Sequence, residues 1–469
     1  MVFNIYVANK VGSEAIGVFS LVMSIYNFAI TVATSGLSIA CTCIVSEEFA
    51  KKNYLNGLKA VKTSIFFATL LGFTSSLLVF IFSPTISNIW LKNAISPTPI
   101  LTIAFGLPLI SISSVINGYF ASISKSYMNA IAQILELSVK MLLTLFLLQT
   151  DTTKTAESAC FYLIIADVIS EVFSFTFNVI SYNIDIRKYK LSRKEPMQMK
   201  KRIINIAFPI AITSCIKSGL SSLKQFLIPI RLELSGLPYS LAISSYGLIN
   251  GMVMPVLMFA SVFISSFSNL LVPEFSRLLA GKNYKRLKYV CDTIFKVTFI
   301  FSIGISAIFL FFANDLSLLI YQNLEPAKWI KFLSPLVILM YIDNVIDNML
   351  KGINEQVSVM ICNIIDLITT ICIIFFIVPI FGVKGYIFSI CVSELLNFTI
   401  SSIQLKRKIN YSLNFFNFIF KPILFCFVTY IIIKYIFSSI FIVNNSIIKI
   451  CIFIAIYLCF TLKELKKSL

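Results

Sequence analysis

The chain has 469 residues, of which 58% are hydrophobic and 13% charged, with a mean hydropathy of +0.90. A soluble domain carries about a quarter charged residues, and a disordered chain is poor in apolar ones, so both classes are excluded. The net charge of +18, from 39 Lys and Arg against 21 Asp and Glu, reads as membrane orientation, and no nucleic-acid partner is expected.

In chain order, thirteen apolar segments lie near 16–45, 60–82, 98–120, 127–149, 158–182, 203–230, 241–272, 289–313, 331–350, 357–380, 384–404, 415–439 and 446–463. Most are long enough to cross about 30 Å of hydrocarbon as tilted helices, and too long for membrane strands. The expected fold is an all-α integral membrane protein. The eleven cysteines form no Cys-x-x-Cys pair, which argues against a disulfide framework or a zinc site, and there is no histidine.

Basic residues alternate between loops. One set of loops holds 25, including Lys51, Lys52, Lys59, Lys62, Lys125, the run from Arg187 to Arg202, Arg277 to Lys288, Lys406 to Lys408 and Lys463 to Lys467. The other set holds seven: Lys10, Lys92, Lys154, Arg231, Lys328, Lys331 and Lys384. The first set is therefore expected in the cytoplasm, with the C-terminus inside.

The halves repeat. Gly17 leads to Lys52-Asn53-Tyr54, and Gly247 to Lys282-Asn283-Tyr284, both at an offset of 230. At that offset Glu136 pairs with Asp366, while Glu171 pairs with Glu394 at 223 and Pro108 with Pro335 at 227. The expected organisation is an N-terminal bundle (1–202), a C-terminal bundle (203–410), and two extra helices with a cytoplasmic tail (411–469). An even number of spans per repeat makes the repeats parallel. The first repeat shows five spans against six in the second, so most of a first helix is expected to be absent.

NKVGSEAIGVFSLVMSIYNFAITVATSGLSIACTCIVSEEFAKKN resembles the opening of bacterial stage V sporulation protein B-like proteins. INGYFASISKSYMNAIAQILE, IPIRLELSG and FGVKGYIFSICVSELLNF resemble later blocks of that family, within the multidrug, oligosaccharidyl-lipid and polysaccharide exporter superfamily. The resemblance implies two six-helix lobes plus two helices in the bacterial plasma membrane. It also implies a flippase moving lipid-linked oligosaccharide or peptidoglycan precursor by alternating access. Family arginines are replaced near Ser38 and Cys43, and at Asn117.

A flippase needs a polar path, and intramembrane ionisable residues are the natural candidates because each is costly at the bilayer centre. Lys217 and Lys224, seven apart on one span, share a face, and Arg231 continues the stripe; together they would suit a diphosphate, or else snorkel or pair with neighbouring carboxylates. Glu136 and Lys140 are spaced for an intrahelical bridge and are also cavity candidates. Asp167 and Glu171 put like charges one turn apart and, with Asp366 and Glu394, are candidates for H+ or Na+ coupling. Asp366 is a candidate to face Lys217 or Lys224, whereas Asp343 and Asp347 lie nearer water at the cytoplasmic end. No P-loop or enzyme motif is present, and no cofactor or metal beyond a coupling ion is expected. A monomer working on a lipid-linked diphosphate-sugar is the leading reading. The alternatives are a cation-coupled small-molecule or drug exporter, and a truncated, non-transporting relative.

Overall fold

The computed structural model describes residues 2–92, 94–150, 155–189, 199–409, 416–439 and 446–466. Lys154, Lys190, Arg193, Lys194 and Lys467, used above for orientation, and the boundary at 410/411 lie outside the described residues. Every regular element among the described residues is helical. In order they are α1 (Val2–Thr34), α2 (Leu37–Ala50), α3 (Tyr54–Thr85), α4 (Pro97–Ser122), α5 (Ser126–Thr150), α6 (Ala156–Ile186), α7 (Met199–Leu234), α8 (Tyr239–Gly247), α9 (Met254–Phe259) and α10 (Ser261–Ala280). There follow α11 (Tyr284–Phe311), α12 (Ala313–Tyr321), α13 (Glu325–Leu333), α14 (Leu336–Gly352), α15 (Gln356–Lys408), α16 (Lys421–Ser439) and α17 (Ser446–Lys466).

Among the described residues, ten helical stretches are long and apolar enough to cross a bilayer, and an eleventh if α13 and α14, bent by 57°, form one span. This differs from thirteen segments for physical reasons. Two segments, 357–380 and 384–404, lie in α15, which stays helical on both sides of a break at Gly382 (φ 57). The helix at Ser446–Thr461 falls short of full span length. Helices suit this environment because each satisfies its own backbone where no water can. Outward Phe, Leu and Ile side chains, such as Phe105 at 70% and Ile380 at 74% exposure, are tolerable only against lipid.

The chain forms two compact units. Of the described residues, the N-terminal unit comprises those of Lys10–Ile230 and Pro238–Gly247, and the C-terminal unit those of Met1–Asn9, Arg231–Leu237 and Leu248–Leu469. The sequence reading opens its second bundle at 203, whereas α7 lies with the first unit as far as Ile230.

In the N-terminal unit, α2, α3, α4 and α7 share a core of small and branched side chains, among them Ala40, Ile44, Ala60, Ala68, Ile116, Ile203 and Ala207. Lipid gives helices no hydrophobic reason to associate, so close approach of small residues and internal hydrogen bonds must do it. Gly36 shows the first device: its φ of 74 turns α1 into α2, and a Cβ there would sit 2.2 Å from the Ala207 carbonyl of α7. The equivalent glycines of the two repeats touch within this unit, and a Cβ on Gly247 would sit 2.0 Å from Ser13 O.

In the C-terminal unit hydroxyls tie helices to carbonyls. Tyr341 donates to Leu257 O at 2.6 Å, Tyr457 to Ile300 O at 2.7 Å, and Ser306 to Ser334 O at 2.8 Å. The Tyr430 ring stacks on Phe311 with centroids 4.1 Å apart, joining α16 to α11.

The repeat survives in the backbone. Among the described residues, the six non-glycine residues with positive φ form three pairs at an offset of 230: Lys52 and Lys282, Lys92 and Gln322, Ser124 and Asn354. One tertiary hydrogen bond repeats as well. Ser46 Oγ donates to Ser122 O in one unit, and Ser276 Oγ to Gly352 O in the other, each across 76 residues.

Candidate substrate pocket and polar clusters

Helix α7 carries the pocket. It runs against α1 and α2 because Gly36 lets it in, and two hydroxyl contacts fix its register. Ser222 Oγ donates to Ser24 O at 2.8 Å, and the Thr31 and Ser218 hydroxyls lie 3.1 Å apart. Beside this seam lies a cavity of about 500 Å³ lined by Lys217 and eight hydroxyl-bearing residues: Thr31, Thr34, Ser35, Ser38, Ser114, Ser214, Ser218 and Ser221. No carboxylate lines it. Lys217 is exposed to this space.

The two companions of Lys217 are placed elsewhere. Lys224 is half-buried two turns further along α7 and does not line the cavity. Arg231 belongs to the C-terminal unit, where its guanidinium lies 3.5 Å from the centre of the Phe375 ring, a cation–π contact.

Glu136, Lys140, Asp167 and Glu171 come together between α5 and α6. The ion pair of Lys140 is with Asp167 on α6, not with Glu136 one turn back on its own helix. The reason is burial: Asp167 is only 8% exposed, and an unpaired carboxylate there would be costly. Glu171 lies within electrostatic reach of Glu136, Asp167 and Lys140, so three carboxylates face one ammonium. The hydroxyl of Tyr26, a buried residue of α1, is close enough to feel all three acids, and it has no hydrogen-bond partner.

The C-terminal unit has a polar seam in the matching place. Asp366 accepts from Ser393 at 2.6 Å and from Thr370 at 3.4 Å. Glu394 follows Ser393 and is half-buried. Asn397 donates to Asp343 Oδ2 at 2.7 Å, while Asp343 Oδ1, Ser401 Oγ and Gln404 Oε1 are buried without a hydrogen-bond partner. No group of His, Cys, Asp or Glu among the described residues is arranged to hold a metal ion. All eleven cysteines are free thiols.

Sequence reasoning missed the hydroxyl lining and one clamp. Arg202, part of a run read as topogenic or as lipid-headgroup contact, bridges Glu47 and the buried Glu48, with Nη1 2.7 Å from Glu48 Oε1. Asn53 also donates to Glu48, at 3.0 Å. The signal available was the Glu-Glu doublet at the end of α2, which in a membrane protein demands a cation.

Two helical units built from one duplicated plan, with polar groups held inside apolar helices, define a multi-pass helical membrane protein. The polysaccharide biosynthesis protein family model matches residues 1–279, and the MatE model residues 209–376. The chain belongs to the polysaccharide biosynthesis protein family. It is 24% identical to Stage V sporulation protein B of Bacillus subtilis (strain 168), over 81% of this chain and 75% of that protein. It is 22% identical to Sporulation protein YkvU of the same organism, over 71% and 74%. The fold resembles the inward-facing conformation of a multidrug resistance MATE family transporter of the MOP superfamily, with TM-score 0.70, 15% identity, and coverage of 87% of this chain and 93% of that one. It also resembles the lipid II flippase MurJ in an inward closed conformation, with TM-score 0.66, 13% identity, and coverage of 97% and 99%.

Proposed function

We propose that this chain is a flippase that moves a lipid-linked oligosaccharide or peptidoglycan precursor across the plasma membrane by alternating access. The observation that carries the reading is the cavity of the N-terminal unit, where one lysine stands among eight hydroxyls with no acid in the wall. That combination matches a saccharide on a diphosphate. Hydroxyls bond sugar hydroxyls in either direction, and an ammonium attracts phosphate. Lys217 contacts the diphosphate, Lys224 lies further along the same helix path, and Arg231 serves the C-terminal unit. A flippase breaks no covalent bond, which accords with the absence of a recognisable enzyme motif.

The cluster of Glu136, Lys140, Asp167, Glu171 and Tyr26 supplies coupling to H+ or Na+, because its carboxylates outnumber its cation. Asp366 and Glu394 are the corresponding groups of the other repeat. The basic loops face the cytoplasm, the C-terminus with them, and the transporter works as a monomer.

A cation-coupled exporter of small cationic drugs is the second reading, favoured by the likeness to a MATE transporter. Purified protein in vesicles, offered a polyprenyl-diphosphate saccharide and a lipophilic cation, separates the two. The flippase reading expects translocation of the first alone; translocation of the cation alone would overturn it.

A further inference from the structure

At the cytoplasmic end assigned by the basic loops, α3 and α7 of the N-terminal unit border a second, open cavity, of about 710 Å³. Four lysines line it: Lys59 and Lys62 from α3, Lys200 and Lys201 from α7, with Thr63 and Phe66 between them. Lys59, Lys62 and Phe66 are three and four residues apart, so they share one face of α3. No carboxylate lines the cavity, and none of the four lysines is in an ion pair among the described residues.

Among the described residues, the acids beside the start of α7 are already engaged. Glu47 and Glu48 are bridged by Arg202, the residue after Lys201, and Glu47 also pairs with Lys51. The clamp thus fixes the start of α7 against α2 and leaves the lysine pocket positive. Four ammonium groups with no counter-ion among the described residues repel one another, and a multiply charged anion removes that cost.

The walls say what the anion is attached to. The lysine face of α3 continues along the helix as Phe66, Leu70 and Phe73, at 61%, 52% and 61% exposure. On α7 the same happens after Lys201, with Ile204 at 46% and Phe208 at 62%. Each helix therefore passes within one turn from a cationic end to an outward apolar stripe. A soluble phosphate has no use for the stripes, whereas a lipid with a phosphate head and acyl chains fits both parts.

We propose that this pocket holds the phosphate headgroup of an anionic phospholipid of the cytoplasmic leaflet, its chains lying along α3 and α7. The site is separate from the Lys217 cavity and does not depend on what that cavity transports. Basic pockets between membrane helices recognise such headgroups through charge, with each lysine worth about a fivefold change in affinity.

The test is native mass spectrometry of the full-length protein in detergent, titrated with cardiolipin, phosphatidylglycerol or phosphatidylcholine. Cardiolipin and phosphatidylglycerol are expected to bind in preference to phosphatidylcholine. Lys59→Gln with Lys62→Gln is expected to weaken that binding about thirtyfold, and Lys59→Arg with Lys62→Arg to keep it. Lys282→Gln with Lys285→Gln, in the other unit, is the control and is expected to leave it unchanged. Equal binding by the Lys59/Lys62 Gln variant, or equal binding of phosphatidylcholine, would overturn the proposal. So would pyrophosphate binding with the same lysine dependence while the lipids fail to bind, since the source would then be a free phosphate.

Discussion

Lys125 and Glu355 occupy corresponding positions, 230 residues apart, and close the same ion pair with the charges exchanged. Lys125 Nζ lies 2.5 Å from Asp185, and Glu355 lies 2.6 Å from Lys408. Each follows a left-handed residue, Ser124 (φ 60) or Asn354 (φ 66), that turns one helix into the next. Asp185 and Lys408 each stand at or beside the end of the third helix of the motif, 223 residues apart. Duplication preserved the clamp while its polarity reversed, which indicates that the attraction, not the identity of either charge, is what the turn requires.

The two clamps should differ in strength. Asp185 is 4% exposed, accepts from the Tyr119 hydroxyl at 2.9 Å and has Lys188 at 3.4 Å, so removing Lys125 leaves a buried carboxylate with only its longer ion pair. Lys125→Ala is expected to cost about 1–3 kcal/mol, less than a fully buried pair because Lys125 itself reaches solvent. The reversed pair, Lys125→Asp with Asp185→Lys, is expected to recover most of the loss in a thermal melt in detergent. Glu355→Ala is expected to shift the melt by less, because that pair is more open.

The pH dependence follows from the same geometry. The Asp185 bond raises the pKa of Lys125 above the ordinary lysine value. Burial opposes ionisation of Asp185, but the Lys125 and Tyr119 bonds outweigh it and hold its pKa below the usual aspartate value, so the pair's contribution is complete between pH about 4 and about 10.4 and is lost as pH rises through the folded Lys125 value or falls through the folded Asp185 value. The Lys408 bond lowers the pKa of Glu355, so its contribution is complete above pH about 4.3 and is lost as pH falls through the lower folded value. The difference in melting temperature between the parent and Glu355→Gln should therefore vanish in acid, and so should that between the parent and Lys125→Gln, each as the carboxylate of its clamp protonates.

Arg202 holds two acids at once, one of them at 3% exposure. Arg202→Gln is expected to destabilise the N-terminal unit by about 3–5 kcal/mol, and Arg202→Lys to rescue only part, because one ammonium cannot reproduce the planar fork. A melt of the three proteins, read with a fluorophore in α2, checks this; full rescue by lysine would show that charge alone suffices.

Much of this was legible from the chain, and the limits have physical causes. The 230-residue offset was visible because turns and glycines are fixed by local backbone needs, and the left-handed pairs Lys52/Lys282 and Ser124/Asn354 express them. The partner of Lys140 was not visible, because i,i+4 spacing makes Glu136 available without making it preferred. Burial of Asp167 on the next helix decided the matter. The hydroxyl cavity could not be seen either. Its residues come from 31–39, from 114 and from 210–221, and serines and threonines inside apolar runs look alike until helices are packed.

The buried pair of α5 and α6 offers a cleaner separation of stability from coupling. Lys140→Met alone is expected to destabilise by about 3–5 kcal/mol, since it strands Asp167. Lys140→Met with Asp167→Leu is expected to return close to the parent stability, because apolar replacement of a buried pair is often neutral. On the coupling proposal, the double variant folds but loses the response of transport to a proton or sodium gradient.

The central claim is that Lys217 binds the diphosphate of a lipid-linked saccharide, and one measurement addresses it most directly. Parent, Lys217→Gln and Lys217→Arg proteins are reconstituted in vesicles, and translocation of a polyprenyl-diphosphate saccharide is followed. Glutamine is expected to lower the rate at least about tenfold with the melt unchanged, since one charge-assisted phosphate bond is worth about 1.5–3 kcal/mol. Arginine is expected to retain most of the rate. Translocation by Lys217→Gln at the parent rate would contradict the account.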